Sequence, residues 1–252
     1  MTLRWVPGWN GQTEPEAVSY VAAVEAADGQ DLEFGVARAI NDFVVGCKND
    51  GIWDAIKACC ILAGARTLAG ALVPLVGTAP TNYNFVSGDY NRETGLVGDG
   101  ITKHLDSNRN ATADPVGSFH LCVYATTANS PGSTLAGDVS GGNPGSSYLL
   151  YDTTNYRIRG SNNLTRAAVG TGFIGAVANT NSIAHRASGL TITTAFVPVV
   201  APNSTIGVFA NGSGALKSNA RLSFCSIGES LDLAKLDTRV SNLMTAIGAA
   251  IP

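Results

Sequence analysis

The end of the chain carries the clearest pattern of apolar and polar positions. From Arg221 to Ile227 the residues alternate as a strand does, with Leu222, Phe224 and Ser226 toward one side and Arg221, Ser223, Cys225 and Ile227 toward the other, until Gly228 breaks the run. Ser230 or Asp232 then offers a side-chain oxygen to the free N–H groups of a helix start. Leu233, Leu236, Val240, Leu243 and Ile247 follow at steps of 3, 4, 3 and 4, which lines one helical face. A strand feeding a striped helix predicts a clasp laid on a larger β body.

The N-terminal third reads as helical. Thr13-Glu-Pro-Glu16 has the capping-box form, and the helix it opens runs to about Ala27 with Val18, Val21 and Val24 inward. A second helix spans Asp31 to Lys48, with Leu32, Val36, Ile40, Phe43 and Cys47 on one face. After the turn Asn49-Asp50-Gly51, a third helix starts near Ile52 and carries Trp53, Ile56 and Cys60. Short helices joined this tightly predict a small bundle over residues 13–77, preceded by an irregular arm, 1–12, that holds Trp5 and Trp9.

After Gly77 the pattern changes to short alternating runs. Strands are expected at 84–86, 96–97, 104–108, 118–126, 147–152, 156–159, 172–177, 183–186, 191–199, 206–211 and 222–227, separated by turns such as Asp99-Gly100 and Asn211-Gly212. Strands this short at regular spacing indicate a sandwich or jelly roll over residues 78–230, closed by the helix in 231–252. The segment Asn129–Ser146, rich in Gly, Ser and Pro, reads as a long surface loop. The fold class is α+β, mainly β.

Composition sharpens this picture at a few points. Charged residues make up only 14% of the 252, and Gly numbers 29, which suits turns and short strands better than solvated helices. The net charge of -3 gives no global pull on nucleic acid. No acidic residue occurs between Asp152 and Glu229, so this half uses Ser, Thr and Asn for its solvent faces or presents a basic surface to an acidic partner. Cys47, Cys59, Cys60, Cys122 and Cys225 show no metal or disulfide spacing and read as buried free thiols made in a reducing cytoplasm. No signal peptide is evident, and no apolar run reaches the length of a bilayer span.

The chemical motifs are weak. Gly170-Thr-Gly-Phe-Ile-Gly175 has dinucleotide-loop spacing but lacks the following helix and acid, so a glycine-punctuated strand is the better account. Asp89-Tyr-Asn-Arg-Glu93 alternates oxygen ligands, yet Thr94 stands where a calcium loop needs Gly and no closing Glu follows. His104, His120 and His185 are scattered and carry no nucleophile signature. Only Asp114, Asp138, Asp152 and Glu229 could supply a glycosidase's carboxyl pair in or beside the sandwich. The Asn-x-Ser/Thr triplets at 110, 163, 203 and 211 are incidental to an Asn- and Thr-rich surface. These residues imply no catalytic site, no metal site and no cofactor.

Several strings together resemble a family of bacteriophage and prophage virion proteins. They are Ile56-Lys-Ala-Cys-Cys-Ile-Leu-Ala-Gly-Ala-Arg66, Ala71-Leu-Val-Pro-Leu75, Asp89-Tyr-Asn-Arg-Glu-Thr-Gly-Leu96 and Gly98-Asp-Gly-Ile-Thr-Lys103. The closing strand and helix look like the end of the concanavalin-like, or laminin-G-like, sandwich module in the same proteins. The resemblance implies a non-enzymatic structural protein on the particle surface, a trimer that contacts other virion proteins as a tail-fibre or receptor-binding component. A capsid decoration protein and a glycan-cleaving enzyme are the alternatives. In this reading Tyr148, Tyr151 and Tyr156 are the candidate glycan-binding residues. Trp5 and Trp9 of the arm, with Leu236, Val240 and Leu243 of the last helix, are the candidate attachment and assembly residues. That helical stripe covers about two heptads, short for a coiled coil, so its default is to pack on the chain's own sandwich.

Overall fold

The computed structural model describes residues 13–128, 130, 132–138, 144–151, 155–160, 164–165 and 170–252. Trp5 and Trp9 lie outside them. The helices are α1 (Pro15–Asp28), α2 (Phe34–Asn49), α3 (Leu68–Ala71) and α4 (Leu233–Ala250). The strands are β1 (Ile56–Ile61), β2 (Thr81–Tyr83), β3 (Tyr90–Asn91), β4 (Gly95–Val97), β5 (His104–Asn110), β6 (Ser118–Thr127), β7 (Ser133–Gly137) and β8 (Tyr148–Tyr151). They continue with β9 (Asn155–Arg157), β10 (Leu164–Thr165), β11 (Gly172–Asn179), β12 (Ser182–Ala187), β13 (Leu190–Ala195), β14 (Thr205–Val208) and β15 (Arg221–Gly228).

The strands form two antiparallel sheets. Sheet A runs β13-β12-β11-β6-β15-β4-β3, and β1 also pairs with β15; sheet B runs β10-β9-β8-β7-β14-β5-β2. The sheets pack face to face over a core that includes Phe119, Leu121 and Val123 of β6, Ile174 and Ala176 of β11, and Leu105, Leu135, Leu149, Ile206 and Val208 of sheet B. The opposite face of sheet A is also covered. Cys122, Phe173, Val177 and Phe224 meet Val36, Ile40 and Phe43 of α2 and Leu236, Val240, Leu243 and Ile247 of α4. The molecule is therefore three layers deep, with helices, sheet A and sheet B in that order. Among the described residues no helix is long and apolar enough to cross a membrane.

The two striped helices form as their spacing predicts. The side chain of Asp232 caps α4 by accepting from Ala234 N–H at 2.8 Å and Lys235 N–H at 3.2 Å. All five stripe residues of α4 are buried, and so are all five of α2 and its entry, Leu32 to Cys47. Gly46 lets the helices approach: a Cβ there would lie 2.7 Å from Cδ of Arg239. The guanidinium of Arg239 then donates to both carboxylate oxygens of Asp50, at 2.7 and 2.9 Å. At α1 the cap is Glu14, with Pro15 next, and the capping box expected from Thr13 does not form. Instead Glu14 N–H donates to Asn41 Oδ1 at 2.9 Å, and Lys48 Nζ bridges the Glu14 and Glu16 carboxylates at 2.6 and 2.7 Å.

Four expectations are corrected. The third helix is a strand, because Ile56–Ile61 after a short 3-10 turn pairs with β15. Ala58 and Cys60 face sheet B while Ile56, Cys59 and Ile61 face the helices, and a strand buried on both faces reads as an unbroken apolar run. The long loop at 129–146 contains β7, a fully buried strand between β8 and β14. Its Ser, Ala and Gly content reflects close packing: a Cβ on Gly137 would come within 2.6 Å of the Tyr148 Cβ. The strand expected at 84–86 sits earlier, at Thr81–Tyr83, and Asn84 turns the chain at φ 68 so that Phe85 enters the core against Phe209, centroids 5.0 Å apart. Finally, β15 does not alternate cleanly. Its register with β6 shifts between Leu222 and Phe224, so Leu222 points into the inter-sheet core and Phe224 toward the helices.

Candidate functional site

Since both faces of sheet A are covered except at its edge strand β13, whose residues are all exposed, the open sheet face near the helix-free side is the outer one of sheet B. Leu105, Ile206, Val208 and Leu149 point inward, so period-two alternation turns His104, Asp106, Thr205, Gly207 and Tyr148 outward. Strand pairing aligns Thr81, Asp106, Gly207, Gly137, Tyr148 and Arg157 in one row across the sheet. The next rung pairs Tyr83 with His104.

That rung forms an aromatic platform. The Tyr83 and His104 rings are stacked, 4.4 Å apart and 1° from parallel. Tyr83 remains 43% exposed, so its ring is open to a ligand. Burial lowers the His104 pKa, and the nearby Lys217 charge adds to the effect, which keeps the imidazole neutral at physiological pH. The surroundings are rich in amides and hydroxyls. Asn84 Nδ2 donates to the Thr102 carbonyl at 3.1 Å, Asn108 Nδ2 to Thr81 Oγ1 at 3.0 Å, and Thr205 Oγ1 to Asp106 Oδ2 at 2.8 Å.

The segment after β14 closes one side of the platform. It folds back over Gly207, where a Cβ would meet the Asn211 carbonyl at 2.5 Å. Asn211 Oδ1 braces it by accepting from Ser213 N–H, Ser213 Oγ and Ala215 N–H at 3.2, 2.8 and 2.8 Å. Beyond it lies a polar cleft of about 520 Å³ lined by residues that include Asp99, Ile101, Ser133, Leu216, Lys217 and Asn219. Burial opposes ionisation of Asp99, but bonds from the Thr102 hydroxyl and the N–H groups of Lys103, Ile101 and Thr102 outweigh it and hold the carboxyl well below the usual range. Lys217 belongs to the cleft and also acts on His104, so cleft and platform are neighbours.

His120 and Asp89 serve the fold. His120 is sealed between β6 and β15, with Nδ1 2.6 Å from the Glu229 carbonyl oxygen and Nε2 2.8 Å from Ser226 Oγ. Both partners of that Ser–His contact are fully buried, so it fastens strands and faces no cleft. Asp89 and Asn91, suggestive of calcium ligands, are occupied: Asp89 binds Lys103 at 2.6 Å, and Asn91 Oδ1 accepts from Glu93 and Thr94 N–H. Among the described residues no three His, Cys, Asp or Glu side chains converge as a metal site would need. The motif at 170–175 leads into β11, where Gly175 admits Phe173 and Cys122 at close range.

The sequence-derived candidates fare unevenly. Tyr148 sits half-buried on the outer face of sheet B, in the row described above. Tyr151 and Tyr156 are on β8 and β9, but their side chains lie outside the described ones. Leu236, Val240 and Leu243 are buried beneath the chain's own layers and are not open to a neighbouring subunit, which corrects their assignment to attachment. The sequence carries no signal that singles out Tyr83, and His104 reads there as an ordinary strand residue.

No family model and no curated protein matches the chain. Among solved structures it is similar to domain 4 of AbnA, an extracellular arabinanase from Geobacillus stearothermophilus in complex with arabinotriose, at 11% identity over 65% of this chain and 82% of that one, TM-score 0.41. A Trypanosoma rangeli sialidase mutant gives 12% identity over 84% of this chain and 40% of its own, TM-score 0.47. The binding domain of Botulinum neurotoxin DC in complex with SialylT gives 14% identity over 57% and 39%, TM-score 0.33. The functional reading therefore rests on this chain's own residues.

Proposed function

We propose that this chain is a phage virion protein that displays a concanavalin-like sandwich for adhesion to host-surface glycans, binding them without cleavage. The observation that carries the glycan reading is the exposed Tyr83 ring backed by His104 and ringed by amides and hydroxyls. A flat aromatic face takes the apolar C–H face of a sugar, while the surrounding donors and acceptors meet its hydroxyls. The nearby carboxylates Asp99 and Asp106 already accept backbone N–H bonds from their own turns, which favours recognition over hydrolysis. The virion setting rests on the resemblance of the strings between Ile56 and Lys103 and of the closing strand and helix. Glycan arrays and cell-adsorption assays test the reading. Binding should fall at least about tenfold in Tyr83→Ala, a loss of roughly 1.4 kcal/mol. No binding by the wild-type protein in either assay, or binding untouched by Tyr83→Ala, would refute it.

A further inference from the structure

Strand β13 is the outer edge of sheet A, and all six of its residues are exposed. Three other edge strands are short, with two residues in β3, two in β10 and three in β2, and the six-residue β1 is met on its outer side by Leu75 and Val76, which bond to Cys59. Long open edges are usually blunted by charge, proline or a bulge. Leu190-Thr-Ile-Thr-Thr-Ala195 has no charge and no proline, and its register with β12 is unbroken. Exposed Val197, Val199 and Val200 follow it.

The register shows which backbone groups are open. Ser188 and Gly189, at φ 48 and 72, form the turn between β12 and β13, which Ala187 and Leu190 close. The closing pair of such a two-residue hairpin is hydrogen-bonded, and bonded and non-bonded pairs then alternate. Leu190, Ile192 and Thr194 thus bond to Ala187, His185 and Ile183. Thr191, Thr193 and Ala195 turn their N–H and C=O groups away from the protein.

We propose that β13 is a self-association edge, through which two copies of this chain join their A sheets by antiparallel pairing. A two-fold axis perpendicular to the sheet at Thr193 places Thr193 opposite its own copy and Thr191 opposite the second copy's Ala195. Every open N–H and C=O on the three residues then finds a partner. Ile192 lies beside Thr194 of the second copy, and both point to the same face. No like charges oppose one another, because Arg186 on the adjoining strand is held by Asp237 of α4 at 2.7 Å. The product is a two-fold dimer in place of the trimer implied by the resemblance. It stands independently of the glycan reading.

Light scattering and sedimentation across a wide concentration range test this. The wild type should be a dimer whose Thr191, Thr193 and Ala195 amides are protected from hydrogen exchange. Thr193→Pro removes one outward N–H and leaves the β12 bonds intact. Thr193→Asp sets two negative charges opposite each other on the axis. Each should weaken dimerisation at least about tenfold and release those amides to fast exchange, with an unchanged circular dichroism spectrum. If Thr193→Pro fails to fold, Thr193→Asp decides. A wild type that stays monomeric, a dimer with fast-exchanging edge amides, or a dimer indifferent to Thr193→Asp would overturn the proposal.

Discussion

Asp138, just after β7, is sealed from solvent with both carboxyl oxygens 3.0 Å from the Ser147 N–H. Burial raises its pKa to about 7, and the Ser147 bond and the charges of Arg159 and Arg157 only partly offset this. His120 is perturbed in the opposite sense, pushed by burial down to about 4. For Asp138 the folded state binds its proton more tightly than the unfolded chain does, so this group adds stability as pH falls below its folded pKa. For His120 the unfolded chain binds the proton more tightly, so this group removes stability as pH falls below the ordinary histidine value of about 6.5.

Between about pH 7 and pH 5, linkage gives a gain of roughly 2 kcal/mol from Asp138 and a loss of roughly 2 kcal/mol from His120. The two nearly cancel. Glu16, Glu33, Asp50, Asp89 and Asp99 have depressed pKa values and lose their contribution only below the ordinary carboxylate range, outside this window. Asp138→Asn copies the protonated carboxyl and removes only the Asp138 response. On acidification across this window Asp138→Asn should therefore lose about 2 kcal/mol more than the wild type does. Urea denaturation of both proteins at the two pH values measures the difference, to which shared groups such as His104 do not contribute. Parallel profiles would refute the assignment of an uncharged Asp138 to the folded state at pH 5.

Two further outcomes test the helical layer and the thiols. Leu236 is fully buried between α4 and sheet A, so Leu236→Ala should cost about 2–5 kcal/mol in denaturation experiments; a loss well under that range would mean the helix is only loosely laid on the sheet. All five cysteines are free and buried, with burial pushing the Cys47 thiol up to about 12, so a disulfide reagent should find essentially no reactive thiol in the native protein and five after unfolding.

The sequence was most readable where structure is set locally. The stripes of α2 and α4, the Asp232 cap and the central strands β6, β11 and β12 follow from spacing and end groups alone. It was least readable where distant pairing decides. Ile56–Ile61 suits a helix as well as a strand, and only β15, far along the chain, selects the strand. Ser133–Gly137 looks like a loop because a crowded sheet centre selects small residues. The bulge that separates Leu222 from Phe224 has no sequence mark, since neither residue differs from a strand former. The platform is hidden for a similar reason: Tyr83 and His104 meet only through the pairing of β2 with β5, and no spacing rule connects a tyrosine in Thr-Asn-Tyr-Asn to a histidine three strands further along the chain.

The layer order constrains where the two proposed activities can operate together. In the sandwich β7 packs against β6, and β8 against β11 and β6. That alignment sets β5 and β2 beneath the β15-β4-β3 end of sheet A, and β9 and β10 beneath the β12-β13 end. The platform of Tyr83 and His104 therefore lies at the end away from β13, and edge pairing leaves it open. A two-fold axis perpendicular to sheet A also keeps both B sheets on one side of the joined sheet. Two platforms would then face the same surface from the far ends of one continuous sheet, an arrangement in which weak single-site glycan contacts reinforce each other when the ligand spacing matches the span. The helices lie on the opposite side of sheet A, buried against it along their apolar stripes, and so take no part in that surface.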